Sequence, residues 1–377
     1  MLRLRRKNVV GLDIDASAVR MVQLRKDNAG CVVIKAGVTD IAPWGNDPQL
    51  RKIHTVRAIV DGLSSCGISS KFAVCGLRGP EVVVRGFEFP ALPPEEIEGA
   101  VQLEVSQICP FLAEESTFDY QVTSSDDKST MGFWVAATNG LIEGTRQLVS
   151  DAGLHCALVD VTGLALLNLL QSSRRMGLAP PQPAAQEEPV GQAPPYNSPE
   201  SELPQPQWNR PAVLNLSDSC ATIAIADPAG RPFVRDIGGG ALVDSRRSLA
   251  AARGGIHGSF SAEDGWAARN DYRSVTNDSL LEDVTTTLRY YAAQNGTMRV
   301  DRLLVCGGFA AEESMELLRM RLNVEVEPWN PLTDCGFRMD DGGLEEPTDT
   351  SPPSAIRDPQ LCGPSLAAAA GLAMRHV

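Results

Sequence analysis

Two short polar turns, each set between apolar strands, contain the residue types that could bind a phosphate and a metal ion. The first lies within Val9 to Leu24, where apolar and polar residues alternate up to Asp13 and a second apolar run follows the turn 16–18. The small residues of this turn, with Ser17 at its centre, would let an anion approach backbone N–H groups. Asp13 could hold Mg²⁺ through water, since Mg²⁺ keeps several of its waters. Taken alone, the pattern favours an ordinary edge hairpin over a binding site.

A second copy of this strand, turn and strand pattern runs from Ala212 to Ala226. Asn215 lies in its first strand, a Ser/Asp/Cys turn follows, and Thr222 lies in its second strand. Two matched units in the two halves of a chain indicate a duplicated fold with a cleft between the halves. Ligands tend to bind in such clefts. We therefore predict that the two turns face one another across a cleft.

The motifs around these turns resemble those of the actin-like ATPase superfamily. Asp13 and Arg20 match a D-I-G-x-x-x-x-K phosphate motif, Thr222 matches the end of a D-x-G-x-x-x-T motif, and 303–308 reads LLVCGG, a late apolar strand that ends in two glycines. Within the superfamily the chain is similar to the PilM-type proteins of type IV pilus assembly. That similarity rests on the elements LPPEEI and FDY within 89–120 and on the C-terminal PSLAAAAGLAMR at 364–375.

The resemblance implies an α/β fold of two actin-like, ribonuclease H-like domains that flank a nucleotide-type cleft. Each domain is expected to contain a five-stranded sheet of mixed direction, and a small α+β subdomain is inserted in the first. The predicted divisions are the first domain at 1–78 and 155–171, the inserted subdomain at 79–154, a linker at 172–210, the second domain at 211–350 and a C-terminal helix at 351–377 that returns to the first domain.

The linker prediction rests on composition. Pro and Gln dominate 179–207, and hardly any apolar side chain interrupts them. Such a segment cannot bury enough apolar surface to offset the entropy lost on ordering, so we expect it to be disordered or extended. A plain tether is favoured over a docking site for a proline-binding partner.

The resemblance also implies the residues that would line an ATP cleft. They are Asp13, Ser17, Arg20, Asn215, Thr222, Glu263, Gly307 and Gly308, with Asp13 also the candidate metal ligand.

Several of these positions depart from the family pattern. Asp15 replaces a glycine, Arg20 replaces a lysine, and Asn215 and Ser217 replace the acidic residue and the glycine of the second motif. Two like charges about 4 Å apart repel by about 1 kcal/mol in water and about 4 kcal/mol at an effective dielectric near 20, so Asp15 should disfavour a phosphate.

Two further departures weaken the case for catalysis. Asn215 cannot act as a base or as an anionic metal anchor. Glu263 belongs to an Ala-Glu pair that lacks the lysine following it in the family's adenosine motif. We therefore name no catalytic residue and predict that ATP/Mg binding is weak or lost, with little or no hydrolysis. If hydrolysis did occur, Asp13 or Asp236 would be the carboxylate responsible.

Composition excludes several other functions. The 34 basic and 47 acidic residues give a formal net charge of −13, which argues against nucleic-acid binding. No apolar run reaches the roughly 20 residues that span a bilayer, and no signal peptide is predicted. The nine cysteines are spread singly, so we interpret them as small buried hydrophobes. The four histidines show no metal-ligand spacing.

Three functions follow from this pattern. We favour a cytoplasmic scaffold of a type IV pilus-like platform, peripheral to the inner membrane, that binds the cytoplasmic tail of a PilN-like membrane protein. The predicted groove lies where the inserted subdomain meets the first domain and includes the helix 95–107, whose first acids could attract a basic tail. The alternatives are an active actin-like ATPase or kinase-like enzyme, and a cytoplasmic scaffold of type II secretion. Homo-oligomerisation is left open.

Overall fold

The computed structural model describes residues 9–27, 30–175, 210–227, 230–237, 279–294, 299–310, 312–339 and 363–376. The first half of the chain contains β1 (Val9–Ile14), β2 (Ala18–Asp27), β3 (Gly30–Asp40), α1 (Pro48–Ser65), β4 (Phe72–Leu77), β5 (Val82–Pro90), α2 (Pro94–Ile108), β6 (Ser116–Ser125), β7 (Ser129–Thr138), α3 (Asn139–Asp151), β8 (His155–Val161) and α4 (Thr162–Arg175). The second half contains β9 (Pro211–Leu216), β10 (Ala221–Ile225), β11 (Phe233–Ile237), α5 (279–294), β12 (Arg302–Cys306), α6 (Glu312–Arg321), β13 (Glu325–Pro328), α7 (Pro331–Asp334), β14 (Arg338–Met339) and α8 (Ala367–Ala373).

Two sheets are built around the two predicted hairpins. The first has the strand order β14-β3-β2-β1-β4-β8, and the second has the order β11-β10-β9-β12-β13. In each, the hairpin pairs in antiparallel register, and the first hairpin strand also pairs in parallel with a later strand, β4 or β12. Because the hairpin strands are almost wholly buried, their apolar runs pack on both faces.

The first sheet differs from the five strands expected. Its sixth strand, β14, comes from the second half of the chain and pairs in parallel with β3 through Arg338↔Val32. Arg338 also pairs with Asp27 of β2. A strand of two residues has no periodicity that a sequence could reveal, so the prediction of five strands was wrong here. The second sheet has the five strands predicted.

A third sheet, in the order β5-β7-β6, forms the inserted module. The helix α2 covers it, with Val101 packed in a core that includes Phe87 and Trp134. As the sequence suggested, α2 begins at Pro94 and has acids in its first turn. The strand β6 is not among the predicted elements, although its side chains alternate regularly between half-buried and exposed.

The helix α3 follows this module directly but packs elsewhere. Its Val149 lies in a core cluster with Val10, Leu12 and Ile59, beneath the first sheet. The α3 part of the predicted 79–154 subdomain is therefore placed with the first domain.

Two details of the helices are not evident from the sequence. On α1 the apolar side chains of Ile53 and Val60 are 61% and 45% exposed, while Ala58 and Ile59 are buried. The helix α4 extends to Arg175, four residues into the predicted linker of 172–210. The rest of that linker up to residue 209, and Glu263, lie outside the described residues.

The C-terminal helix α8 packs on α4, β1 and β2. Its small side chains permit a close approach, because a Cβ added to Gly11 of β1 would lie 2.1 Å from the carbonyl oxygen of Ala369. The surrounding core draws on both halves of the chain, including Leu166, Val213 and Leu304. The helix therefore closes the first domain with residues from the end of the sequence.

Eight of the nine cysteines are described, and all eight are free thiols that are buried or half-buried. Within the described ranges, no group of three or more His, Cys, Asp or Glu side chains could hold a metal ion. No described helix combines the length and apolar character needed to cross a membrane.

Candidate functional site

The two polar turns face one another and are hydrogen-bonded directly. Asp15, in the first turn, follows β1, and its carboxylate contacts the backbone of the second turn, which follows β9. Its Oδ2 accepts from the backbone N–H of Asp218 at 2.9 Å, and its Oδ1 accepts from that of Ser219 at 3.0 Å. Oδ1 also accepts from the N–H of Ala16 at 2.9 Å. The carboxylate expected to repel a phosphate is therefore bound by the protein itself.

Arg20 occupies the position of the family lysine and points into the same site. Its Nη1 lies 3.2 Å from Oδ2 of Asp15 and 3.7 Å from Oδ2 of Asp13. On its other side it lies against Gly308, since a Cβ added there would be 2.2 Å from Nη2 of Arg20. A side chain at 308 would displace the guanidinium, so the second glycine leaves room for Arg20.

Arg78, which the sequence analysis missed, is the second cation of the site. It follows β4, the strand parallel to β1, so both strands end at the same edge of the sheet. It pairs with Asp13 and donates to Oγ of Ser217 at 3.0 Å across the cleft. Its side chain is 6% exposed. Burial lowers the pKa of Arg78, and nearby Cys220 and acidic groups oppose that shift.

A basic residue directly after a buried parallel strand is the only sequence signal that could have found Arg78. The neighbouring Gly79 makes a further contact between the halves.

Asp236 ties the second half to the residue after Arg78. Its Oδ1 accepts from Oγ1 of Thr222 at 2.5 Å, and its Oδ2 accepts from the N–H of Gly79 at 2.6 Å. Burial raises the pKa of Asp236, although both hydrogen bonds and Arg78 act to lower it. The Thr222 hydroxyl, expected near phosphates, is thus bonded within its own domain.

Asn215 lies at the base of the cleft and is 2% exposed. Its Oδ1 accepts from Sγ of Cys306 at 3.7 Å. Its buried Nδ2 has no hydrogen-bond partner among the described residues. An amide offers no negative charge to a metal, so this position lacks the anchor that an acidic residue would supply.

The glycine pair after β12 packs against protein backbone. Gly307 has a φ of 104°, and a Cβ on it would lie 2.2 Å from the carbonyl oxygen of Leu216. Its N–H donates to the carbonyl oxygen of Pro364 at 2.8 Å. Ser17, in the first turn, is half-buried, and its carbonyl accepts from the N–H of Ile41 at 2.7 Å.

The residues present do not fit Mg-ATP. The backbone N–H groups of the second turn, which would receive a phosphate, are taken by Asp15. Asp13, the candidate metal ligand, is paired with Arg78 and lies near Arg20, so cations already neutralise it. The predicted site residues thus lie together in the structure, and they surround ion pairs formed within the chain. Glu263 lies outside the described residues.

Comparison with known proteins finds a family model that matches the first part of the chain. Residues 11–177 match the model of the family described as Type IV pilus assembly protein PilM. This part of the chain is PilM-like. The match includes the first sheet's hairpin from residue 11 onward, the whole inserted module and α4, so the resemblance noted in the sequence is confirmed for this part of the chain.

Solved structures extend the comparison of the fold to nearly the whole chain. A structure described as the PilM-PilN type IV pilus biogenesis complex matches 99% of this chain and 99% of that chain, with 20% identity and a TM-score of 0.70. The chain therefore shares its two-sheet α/β fold with that structure. The ethanolamine utilization protein EutJ from Carboxydothermus hydrogenoformans matches 98% of this chain and 90% of that chain, with 11% identity and a TM-score of 0.44. The cytoplasmic domain of EpsL, an inner membrane component of the type II secretion system of Vibrio cholerae, matches 87% and 92%, with 10% identity and a TM-score of 0.41.

Proposed function

We propose that this chain is a cytoplasmic scaffold of a type IV pilus-like assembly platform. In this role it binds the cytoplasmic tail of a PilN-like inner-membrane protein and lies at the membrane through that partner. The observation that carries the proposal is the PilM-like match over 11–177, which includes the complete inserted module. The similar solved structure, described as a PilM-PilN complex, supports the choice of partner.

The inserted module has the surface features expected of a peptide-binding element. Along the second part of α2 and the segment after it, Leu103, Ile108 and Leu112 are 61%, 47% and 59% exposed. At the other end of α2, Glu95 and Glu96 are exposed in the first turn. A tail with a basic stretch beside an apolar one would match both ends, because apolar anchors supply most binding energy and charges set orientation.

The proposal includes a cleft that does not turn over ATP. Three features support this: Asp15 fills the second turn, Arg78 pairs with the candidate metal ligand, and Asn215 carries no charge. Scaffolding requires the fold to be held in one arrangement, and internal ion pairs can do this without a nucleotide.

The test is a binding titration with two matched variants of the full chain. Leu103→Asp places a charge on α2, and Ile53→Asp does the same on α1, where the side chain is also 61% exposed. The ligand is a fluorescent peptide with the sequence of the cytoplasmic tail of a PilN-like inner-membrane protein from the same organism. We expect Leu103→Asp to weaken binding by about tenfold or more, equal to about 1.4 kcal/mol, and Ile53→Asp to leave it within about twofold.

Equal affinities for the wild type and Leu103→Asp would remove α2 from the binding site. Failure of the wild-type chain to bind the peptide would overturn the scaffold proposal itself. Circular dichroism on both variants shows whether the chain stays folded.

A further inference from the structure

The second polar turn has the donor arrangement of an anion-binding site. Consecutive backbone N–H groups, those of Asp218 and Ser219, point at one carboxylate. A guanidinium from Arg20 and the N–H of Ala16 complete the set of donors. Successive backbone N–H groups in a turn form an anion-binding concavity, and charge-assisted bonds to such groups are the strong ones.

The anion in this site belongs to the chain. Asp15 is 3% exposed, and its carboxylate accepts from four donors on both sides of the cleft. The site and its ligand come from opposite halves of the chain, since Asp15 follows β1 and the donors at 218 and 219 follow β9. Each half therefore supplies what the other needs to satisfy its buried polar groups.

Two further contacts cross between the halves beside this site. Arg78 donates to Ser217, and Asp236 accepts from the N–H of Gly79. Arg78 also pairs with Asp13 of the first half. Arg20 lies near the same carboxylate. Both guanidiniums, those of Arg20 and Arg78, are thus already paired with the carboxylates of Asp13 and Asp15, so neither is left to neutralise an external phosphate.

We propose that the turn 216–220 is an oxyanion-binding site whose resident ligand is the carboxylate of Asp15, which joins the two halves in place of an external phosphate. The site lies apart from the exposed surface of α2, so it does not depend on peptide capture by the inserted module. Removing the carboxylate vacates the site, and a small carboxylate or inorganic phosphate from solution then binds there.

The experiment is an anion rescue of Asp15→Gly in the full chain, followed by thermal unfolding. Loss of a buried, multiply bonded carboxylate should lower the midpoint temperature by about 5 °C or more. Sodium acetate or inorganic phosphate at about 100 mM should restore at least about half of that loss, because a ligand that binds only the folded state stabilises it. The same anions should raise the midpoint temperature of the wild type no more than sodium chloride does at equal ionic strength. Mg-ATP should not shift the midpoint temperature of the wild type.

Asp126→Gly is the matched control. Asp126 also accepts from two backbone N–H groups, those of Lys128 and Ser129, but in an exposed hairpin of the inserted module. For Asp126→Gly, acetate or phosphate should raise the midpoint temperature of unfolding no more than sodium chloride does. An equal gain in this control would overturn the proposal, since the effect would then be non-specific.

Three other results would also overturn it: an Asp15→Gly chain as stable as the wild type, a destabilised variant that no anion rescues, or a wild type stabilised by phosphate as strongly as the variant.

If Asp15→Gly does not fold, Asp15→Asn keeps the shape of the side chain. In that variant, amide hydrogen exchange at 218 and 219 should accelerate by about tenfold or more, while the buried amides of β9 remain protected. Unchanged exchange at these two amides would again contradict the proposal. Peptide binding to the inserted module can be measured on the same proteins, so failure of either proposal is seen separately.

Discussion

The role of Asp15 becomes clear only from its contacts in the structure. Considered as a replacement for glycine in a phosphate motif, it predicts repulsion of a ligand. In the folded chain it is a hydrogen-bond acceptor for the opposite turn and a partner of Arg20. The sequence identifies the position as unusual but not its donors in the opposite turn, because Asp218 and Ser219 lie 203 and 204 residues further along the chain.

Cys75 and Cys156 form a second pair of residues whose properties depend on their neighbours. They lie on adjacent strands, β4 and β8, where Ala73 pairs with Cys156. A hydrogen bond from Cys75 lowers the pKa of Cys156 to about 7, although burial acts in the opposite direction. The same bond raises the pKa of Cys75, which is fully buried. The half-buried thiol is therefore the reactive member.

This pair gives a prediction for the pH dependence of alkylation. The thiolate is the reactive form, so the rate at Cys156 should rise as the pH increases through about 7. The Cys75→Ala substitution removes the main cause of the lowering and should move the midpoint to higher pH. Iodoacetamide labelling followed by mass spectrometry measures both.

Cys31 is the internal control for this labelling. It is also half-buried, but burial raises its pKa, so its rate should rise at a higher pH than that of Cys156. Identical midpoints for the two thiols, or an unchanged midpoint in Cys75→Ala, would contradict the prediction.

At the scale of secondary structure, glycine determines where α8 can lie. Gly11 in β1 faces the backbone of the helix, and Gly371 in the helix faces α4, where a Cβ would lie 2.5 Å from the carbonyl oxygen of Ala165. Neither contact involves a flexible side chain that could move away. The Ala-rich sequence of α8 is therefore explained by close packing of backbone on backbone.

We predict that Gly11→Ala destabilises the chain by about 2 kcal/mol or more, because the added methyl group meets backbone atoms of α8. The midpoint of thermal unfolding should fall, and proteolysis should release the C-terminal segment first. Gly144→Ala is the control: it lies in α3 with open space around it and should stabilise the chain by about 0.5 to 1 kcal/mol. A Gly11→Ala chain as stable as the wild type would mean that α8 can move without cost.

Most strands and helices could be predicted because each carries a local pattern. The hairpins, β4, β12 and α2 show apolar runs, alternation or acids after proline. The strand β14 could not be predicted, since two residues show no period. The exposed face of α1 also could not be predicted from its composition, because Ile53 and Val60 are apolar but lie away from the core that Ile59 enters.

On the scale of the whole molecule, the two halves are not separate units along the chain. The second half supplies β14 to the first sheet and α8 to the first core. The cleft residues show the same limit of sequence reasoning. Asp13, Asn215 and Thr222 could be grouped by their motifs, whereas Arg78 could not, because only the pairing of β4 with β1 brings it to the cleft.

The linker provides a prediction at this scale. Replacing 176–209 with a Gly/Ser tether of similar length should change the midpoint temperature by no more than about 3 °C, since its composition lacks apolar anchors. Differential scanning calorimetry measures the change. Deleting 363–377 is the contrasting variant and should unfold the first domain, because α8 fills its core. A large loss on replacing the linker would show that it packs on the domains.

The place of α8 near the end of the sequence also sets the order of events during synthesis. Ribosomes add about 5 to 20 residues per second, so the whole of 9–175 is made well before 367–373. During that interval the surface around Gly11, Leu166 and Leu169 has no helix over it and faces water, chaperones or neighbouring nascent chains. The domain that is translated first is therefore the one that matures last.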